Sequence, residues 1–250
     1  NIILDGGTLE ITGSRDFEID TNRGITVNSA STLDVDNSSM TLTYAGILAG
    51  SGNLTKDGSG EFKLKGSSHT FSGDLIINAG GVILPSGTLN SYDFDFTVKN
   101  NAFLTINNKS INSNNTVTVE SGGLINLYAG TDSGRDYYGD FNITGTGNTN
   151  GPVNVASTIT TTGDADTLVQ IHGTITLSGN SNILYRGNLT DISGGKIQFG
   201  DDTDGTQTTA INLGSNTFTL LGKGSSNAAA LREYEFFDLV TGTCTFDVDQ

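Results

Sequence analysis

Residues 50–84 read GSGNLTKDGSGEFKLKGSSHTFSGDLIINAGGVIL, and this stretch decides the fold class. Its apolar residues form pairs two positions apart, as in Phe62 with Leu64 and Leu75 with Ile77. Because successive side chains of a strand point to opposite faces, each pair lies on one face. Glycine, serine, asparagine and aspartate interrupt the pairs every few residues, which is too often for helices. The pattern predicts a chain that turns repeatedly and buries a narrow apolar stripe at each pass.

The same pairs recur upstream, where they begin at Leu9, Phe17, Ile25 and Leu33, a step of eight residues. A strand of about five residues and a turn of about three fill one step, and three steps make one coil of a parallel β-solenoid. A period of roughly 24 residues lies within the range of solenoid repeats and predicts about ten coils in the whole chain. We therefore expect an all-β fold, a single right-handed parallel β-helix, with the hand set by the rule for parallel crossovers.

Three segments of this stretch resemble the autotransporter-associated β-strand repeat: LTKDGSGEFKLKG at 54–66, TFSG at 70–73 and INAGGV at 77–82. That repeat runs roughly as leucine, lysine, two glycines, two leucines, glycine, an aromatic residue, glycine, valine and asparagine-alanine-glycine. The departures are small, since Phe62 replaces a leucine and Phe71 replaces a tyrosine.

The resemblance covers residues 2–88 well, and residues 234–246 resemble the segment that often follows such repeats. It implies a parallel β-helix in an extracellular setting, such as the passenger of an autotransporter on a bacterial surface. It implies no particular chemical activity.

The composition fits this fold and excludes several partners. The net charge is −15, with 34 glycines and only two prolines. Nucleic-acid binding needs clustered lysine and arginine, so we expect no nucleic-acid partner. No apolar run approaches the roughly 20 residues of a membrane-spanning helix, so we expect no membrane insertion. The lone Cys244 permits no intrachain disulfide, and strand alternation predicts that it is buried beside Phe246.

The pattern predicts one β-helix domain over residues 1–250 with local variation. Residues 1–88 form the regular repeat region, 129–152 a loop insertion rich in glycine, and 227–250 a terminal cap or edge. The chain opens at Asn1-Ile-Ile-Leu, already strand-like, which indicates a processed form or a fragment of a longer protein.

Two groups of residues are candidates for a site. Asp201, Asp202 and Asp204 form the densest acidic cluster and are weak calcium candidates, although their spacing is not that of a calcium loop and a solvated turn explains them as well. The candidates for contact with a partner are Arg135, Tyr137 and Tyr138, because tyrosines offer flat apolar area with a hydroxyl group.

Neither histidine, His69 or His172, has a second metal ligand at zinc spacing, and no nucleophile motif accompanies either. We expect no cofactor and no catalytic site.

The leading hypothesis is a non-enzymatic, extracellular structural or adhesive rod of a bacterial surface or secreted protein. Its partners would be a surface protein or glycan, or a second copy through the ends of the rod, where terminal strands have no neighbour. One alternative is the subunit of an extracellular filament or sheath assembled end to end. A second alternative is a polysaccharide-active enzyme, which would need paired carboxylates aligned along one face.

Overall fold

A computed structural model shows strands and turns in the residues that it describes, and no helix among them. Those residues are 1–66, 68–85, 91–107, 110–111, 114–129, 135–137, 140–143, 153–157, 168–171, 175–177, 181–186, 196–199, 210–222 and 238–247. The all-β class predicted from the sequence is confirmed.

The strands fall into three series, each series forming one side of the coil. The first contains β1 (Ile2–Asp5), β4 (Ile25–Ser29), β7 (Leu48–Gly50) and β10 (Thr70–Phe71) in one sheet, β13 (Ser91–Tyr92) with β16 (Ser110–Ile111) in a second, and β19 (Arg135–Tyr137), β22 (Leu168–Ile171) and β25 (Lys196–Phe199) in a third. The second contains β2 (Thr8–Ile11), β5 (Ser31–Val35), β8 (Leu54–Asp57), β11 (Leu75–Ile77), β14 (Phe96–Val98), β17 (Thr116–Val119), β20 (Asp140–Ile143) and β23 (Ile175–Leu177). The third contains β3 (Phe17–Ile19), β6 (Thr41–Tyr44), β9 (Glu61–Leu64), β12 (Gly81–Leu84), β15 (Phe103–Asn107), β18 (Leu124–Ala129), β21 (Val153–Ser157) and β24 (Ser181–Arg186). Two long strands, β26 (Ala210–Gly222) and β27 (Asp238–Asp247), continue both the second and the third series.

Within each sheet of a series, a strand pairs in parallel with the strand one turn later, which makes the fold a parallel β-solenoid. Thr41 lies opposite Glu61 and Phe17 opposite Leu42, so the early turns take 20 to 25 residues. Phe141 lies opposite Ile175, so a later turn takes 34. About five turns lie in the best-described part of the chain. The turns are therefore unequal in length, and the count in that part of the chain differs from the ten coils predicted for the whole chain.

The core is a column of apolar side chains inside the coil. Phe62, Leu64, Leu75 and Ile77, which the alternation predicted to be buried, are fully buried. The pattern of buried and half-exposed residues alternates strictly along β6, β9 and β17. Each strand therefore gives alternate side chains to the interior, as expected when one face of a sheet is solvated.

At the corner between the second and third series, one residue in each of three successive turns has a left-handed backbone conformation. Gly80 has φ 63°, Asn101 has φ 61° and Gly122 has φ 83°. A Cβ atom on Gly80 would lie 2.2 Å from the carbonyl oxygen of Gly60, so only glycine fits there. Asparagine is among the few other residues that adopt this conformation, which explains Asn101.

The division of the chain into regions stays a prediction. Strands β19 and β20 lie within the segment 129–152, which was predicted to be a loop insertion, and β27 lies within 227–250. Cys244 lies in β27 opposite Phe218. The right hand of the coil also stays a prediction.

Candidate functional site

A column of mostly hydroxyl-bearing residues runs along the outside of the second series, and we call it the hydroxyl column. Its register positions are Thr8, Thr32, Thr55, Ile76, Thr97, Thr118, Asn142 and Thr176. They point outward because they alternate with buried residues such as Leu33 and Val117. Parallel strands lie about 4.8 Å apart, so the column presents polar groups at that spacing except at Ile76.

The outward column of the third series is more mixed in chemistry. Successive register positions there are Glu18, Thr43, Lys63, Ile83 and Thr105. Threonine occurs at two of these five positions, and no functional group occupies two neighbouring positions. The hydroxyl column is therefore the more regular of the two outer surfaces.

Carboxylates lie beside the hydroxyl column near the start of the coil. Glu10 lies opposite Asp34, and Asp34 lies opposite Asp57. Like charges on adjacent strands repel one another. A hydrogen bond of 3.2 Å from Nδ2 of Asn78 to Oδ1 of Asp57 reduces this repulsion at one end of the row. This part of the surface is acidic as well as rich in hydroxyl groups.

Lys56 is a fully buried lysine at an interior position of β8. Its Nζ donates hydrogen bonds to three backbone carbonyl oxygens, those of Asp57 at 2.8 Å, Gly58 at 2.9 Å and Ala79 at 3.1 Å. Ala79 belongs to the next turn of the coil. The ammonium group therefore joins two turns at the corner between the second and third series.

The surroundings of Lys56 shift its pKa in a direction set by burial. Burial lowers the pKa of Lys56 to about 8, while the carboxylates of Asp34, Asp57 and Glu61 act in the opposite direction. Sequence reasoning placed Lys56 in the repeat but did not predict its burial. A signal was present, because Lys56 is two positions from the buried Leu54 in a strand.

The outer edge of the first turn exposes residues that are interior in the next turn. Phe17 is 51% exposed, whereas Leu42, its register partner one turn later, is fully buried. Leu9 and Ile11 are only partly buried. With Phe17 they line a cavity of about 520 Å³ at this end. We call this surface the open edge.

Of the site residues predicted from sequence, Arg135 and Tyr137 lie in the described part of the chain. Arg135 and Tyr137 lie in β19, whose pairing with β22 places Arg135 opposite Val169. Tyr138 lies outside the described residues, as do Asp201, Asp202 and Asp204. A partner-binding role for the first group and a calcium role for the second stay predictions.

Within the described ranges, no group of three or more histidine, cysteine, aspartate or glutamate residues could hold a metal ion. The described residues also include no helix long and apolar enough to cross a membrane.

Part of the sequence is similar to a known surface protein. Ninety-two residues are 44% identical to the adhesin BmaC autotransporter of Brucella suis biovar 1 (strain 1330), a match over 36% of this chain and 2% of the adhesin. No protein-family model and no solved structure matches the chain. The similarity points to a location at the cell surface or outside the cell. Together, the similarity and the stacked parallel strands fit an autotransporter passenger-type β-helix.

Proposed function

We propose that the chain is a non-enzymatic, extracellular adhesive rod that binds its target by repeated weak contacts along the hydroxyl column. The similarity to an adhesin supports the adhesive role. The parallel solenoid supports the rod. The observation that carries the finer proposal is the register that stacks Thr32 on Thr55 and Thr97 on Thr118.

A regular column suits a ligand that is itself repetitive. One hydrogen bond to a hydroxyl group contributes only about 1 kcal/mol. Several such bonds made at once by a polymer combine without a separate association cost for each. The net charge of −15 disfavours polyanions. The ligand class that fits best is therefore a neutral polysaccharide of a cell surface.

The test uses the purified chain and a panel of immobilised neutral polysaccharides. We expect the chain to be retained, and we expect the monosaccharide units to compete poorly because one contact is weak. Thr97→Ala combined with Thr118→Ala should weaken retention by on the order of tenfold, because two bonds of about 1 kcal/mol each are lost. The matched control, Thr43→Ala with Thr105→Ala, removes two outward hydroxyl groups from the third series and should leave retention unchanged.

Two results would contradict the proposal. Equal losses in both double variants, or no retention on any polysaccharide, would show that the hydroxyl column is not the binding surface. New reducing ends appearing in the retained polysaccharide would support the polysaccharide-active enzyme instead.

A second candidate function is end-to-end assembly of copies of this chain. Apolar interior residues such as Phe17 would be covered by the terminal turn of a second copy. We expect association that rises with concentration at high salt, where the acidic surfaces are screened. Phe17→Ser should weaken it, whereas Ile47→Ser, at a residue 48% exposed away from this edge, should not. Sedimentation velocity that shows a monomer at every concentration removes this candidate.

A further inference from the structure

The first series contains a strand that is held by few backbone pairs. Strand β10 pairs with β7 at two positions only, Thr70 opposite Ala49 and Phe71 opposite Gly50. It is also the last strand of its four-stranded sheet. Among the strands of that sheet it has the shortest pairing, so a single additional hydrogen bond matters here.

That additional hydrogen bond comes from His69, which immediately precedes β10. The backbone N–H of Leu48 donates to Nδ1 of His69 at 3.1 Å. One turn earlier, the N–H of Ile25 donates to the carbonyl oxygen of Ile47 at 3.1 Å and to the Tyr44 hydroxyl at 2.7 Å. The imidazole of His69 therefore takes the place of a main-chain acceptor.

The two side-chain acceptors differ in how they respond to acid. The Tyr44 hydroxyl keeps a lone pair at every pH below its own pKa, which burial raises to about 12. The Nδ1 atom of His69 accepts a hydrogen bond only while the ring is neutral, because both ring nitrogens become donors on protonation. The hydrogen bond from Leu48 is thus conditional on pH.

His69 lies in an apolar setting without a compensating charge. Its ring stacks on Tyr92 with centroids 5.8 Å apart and meets Phe94 edge-on at 6.5 Å. Its Nε2 atom is buried without a hydrogen-bond partner. Burial alone lowers the pKa of His69 to about 4, and no charged group contributes to this shift.

The titratable groups around His69 are few in the described residues. The stacked Tyr92 uses its hydroxyl to donate to the carbonyl oxygen of Leu64 at 2.9 Å, and burial raises its pKa. The residues of β7 and β10 carry no ionisable side chain. Lys65 is the nearest charged residue along the chain and is exposed.

We propose that His69 is an acid-sensitive latch, whose neutral ring holds β10 against β7 and whose protonation releases this strand. Protonated Nδ1 would point a proton at the N–H of Leu48, and the ring would carry an uncompensated charge among aromatic groups. Release of β10 would expose Phe71 and the aromatic cluster that Phe71 contacts through Phe94, which consists of Tyr92, Phe94 and Phe96.

The direction of the pH dependence follows from the pKa. The pKa of His69 is lower in the closed protein, about 4, than the 6.5 of a solvated histidine, so the released state binds the proton more tightly. The closed state therefore has its full stability above about pH 6.5 and loses it as the pH falls toward 4. Strand β10 would therefore be released in mildly acidic surroundings and would stay paired with β7 at neutral pH.

Hydrogen exchange measured by NMR at pH 7 and pH 4.5, corrected for intrinsic rates, tests the latch on the whole chain. We expect exchange at Leu48 and Phe71 to accelerate at the lower pH by on the order of tenfold or more. Ile25 should show no such change. His69→Gln offers an acceptor that does not titrate, and it should remove the acceleration.

A second measurement covers the case in which His69→Gln folds poorly. Imidazole resonances of the wild-type chain, assigned with a His172→Gln variant, should show His69 titrating below pH 5.5 together with the amide of Leu48. Equal acceleration in His69→Gln, or a His69 ring that titrates near pH 6.5 with no change at Leu48, would overturn the proposal.

Discussion

Replacing Leu64 by aspartate should destroy the cooperative unfolding transition of the chain. Leu64 is fully buried and lies opposite Tyr44 in the third series. Loss of a buried leucine costs roughly 2–5 kcal/mol, and a carboxyl group left in an apolar interior costs a few more. That sum is comparable with the 5–15 kcal/mol that stabilises a typical domain. Circular dichroism during thermal unfolding should show little native β-structure, or a much lower Tm.

The control for this substitution is Thr105→Asp, which introduces the same charge in the same series. Thr105 is half-buried and alternates with the fully buried Leu104 and Ile106, so its side chain faces outward. Its substitution should change the free energy of unfolding by about 0.5 kcal/mol or less. If Leu64→Asp unfolded at the temperature of the parent chain, the strand register would be incorrect.

Replacing Lys56 by methionine should destabilise the chain by about 2–4 kcal/mol, because three carbonyl oxygens lose their donor. Exchanging a buried charge for an apolar group is often harmless when its partners are exchanged too. Here the partners are backbone groups of Asp57, Gly58 and Ala79, which remain. Denaturant unfolding at pH 7 measures the loss. The control Lys63→Met removes the same charge from an outward position and should have an effect below about 0.5 kcal/mol.

The pH dependence of the free energy of unfolding shows whether the charge of Lys56, and not only the packing of its side chain, contributes to stability. The pKa of Lys56 in the folded chain is about 8, against 10.5 for a solvated lysine. The unfolded chain therefore binds more protons between these values, and stability contributed at this position rises with pH across that window. The difference in stability between the wild-type chain and Lys56→Met should grow from pH 8 to pH 10.5. A constant difference would show that the pKa of Lys56 is not lowered in the folded chain.

Much of the fold could be predicted from the sequence because the strand alternation is local and strict. Phe62, Leu64, Leu75 and Ile77 are buried as the spacing of apolar pairs indicates. The length of each turn was not predictable in the same way. It depends on how many residues each corner takes, and the alternation of apolar and polar residues in the strands does not determine the length of a corner. The 34 residues between Phe141 and Ile175 show this.

The site was less predictable than the fold because it depends on register between turns. The stacking of Thr97 on Thr118 can be recognised only once the register between their strands is known. In the sequence, Lys56 and His69 look like ordinary polar residues of a repeat. The role of Lys56 depends on its contact with Ala79 in the next turn, and that of His69 on its contact with Leu48 in the previous turn. The partner-binding role of Tyr137 stays a prediction.

The parallel stacking of turns also determines how such a rod would respond to a pulling force. Backbone hydrogen bonds between turns, such as the one from Leu54 to Asp74, run along the rod axis. Tension at a chain end would load them one row at a time, so the rod would peel turn by turn. Each turn of 20 to 25 residues spans about 4.8 Å when stacked but roughly 65–90 Å when drawn out. A rod of this kind would lengthen many-fold under load.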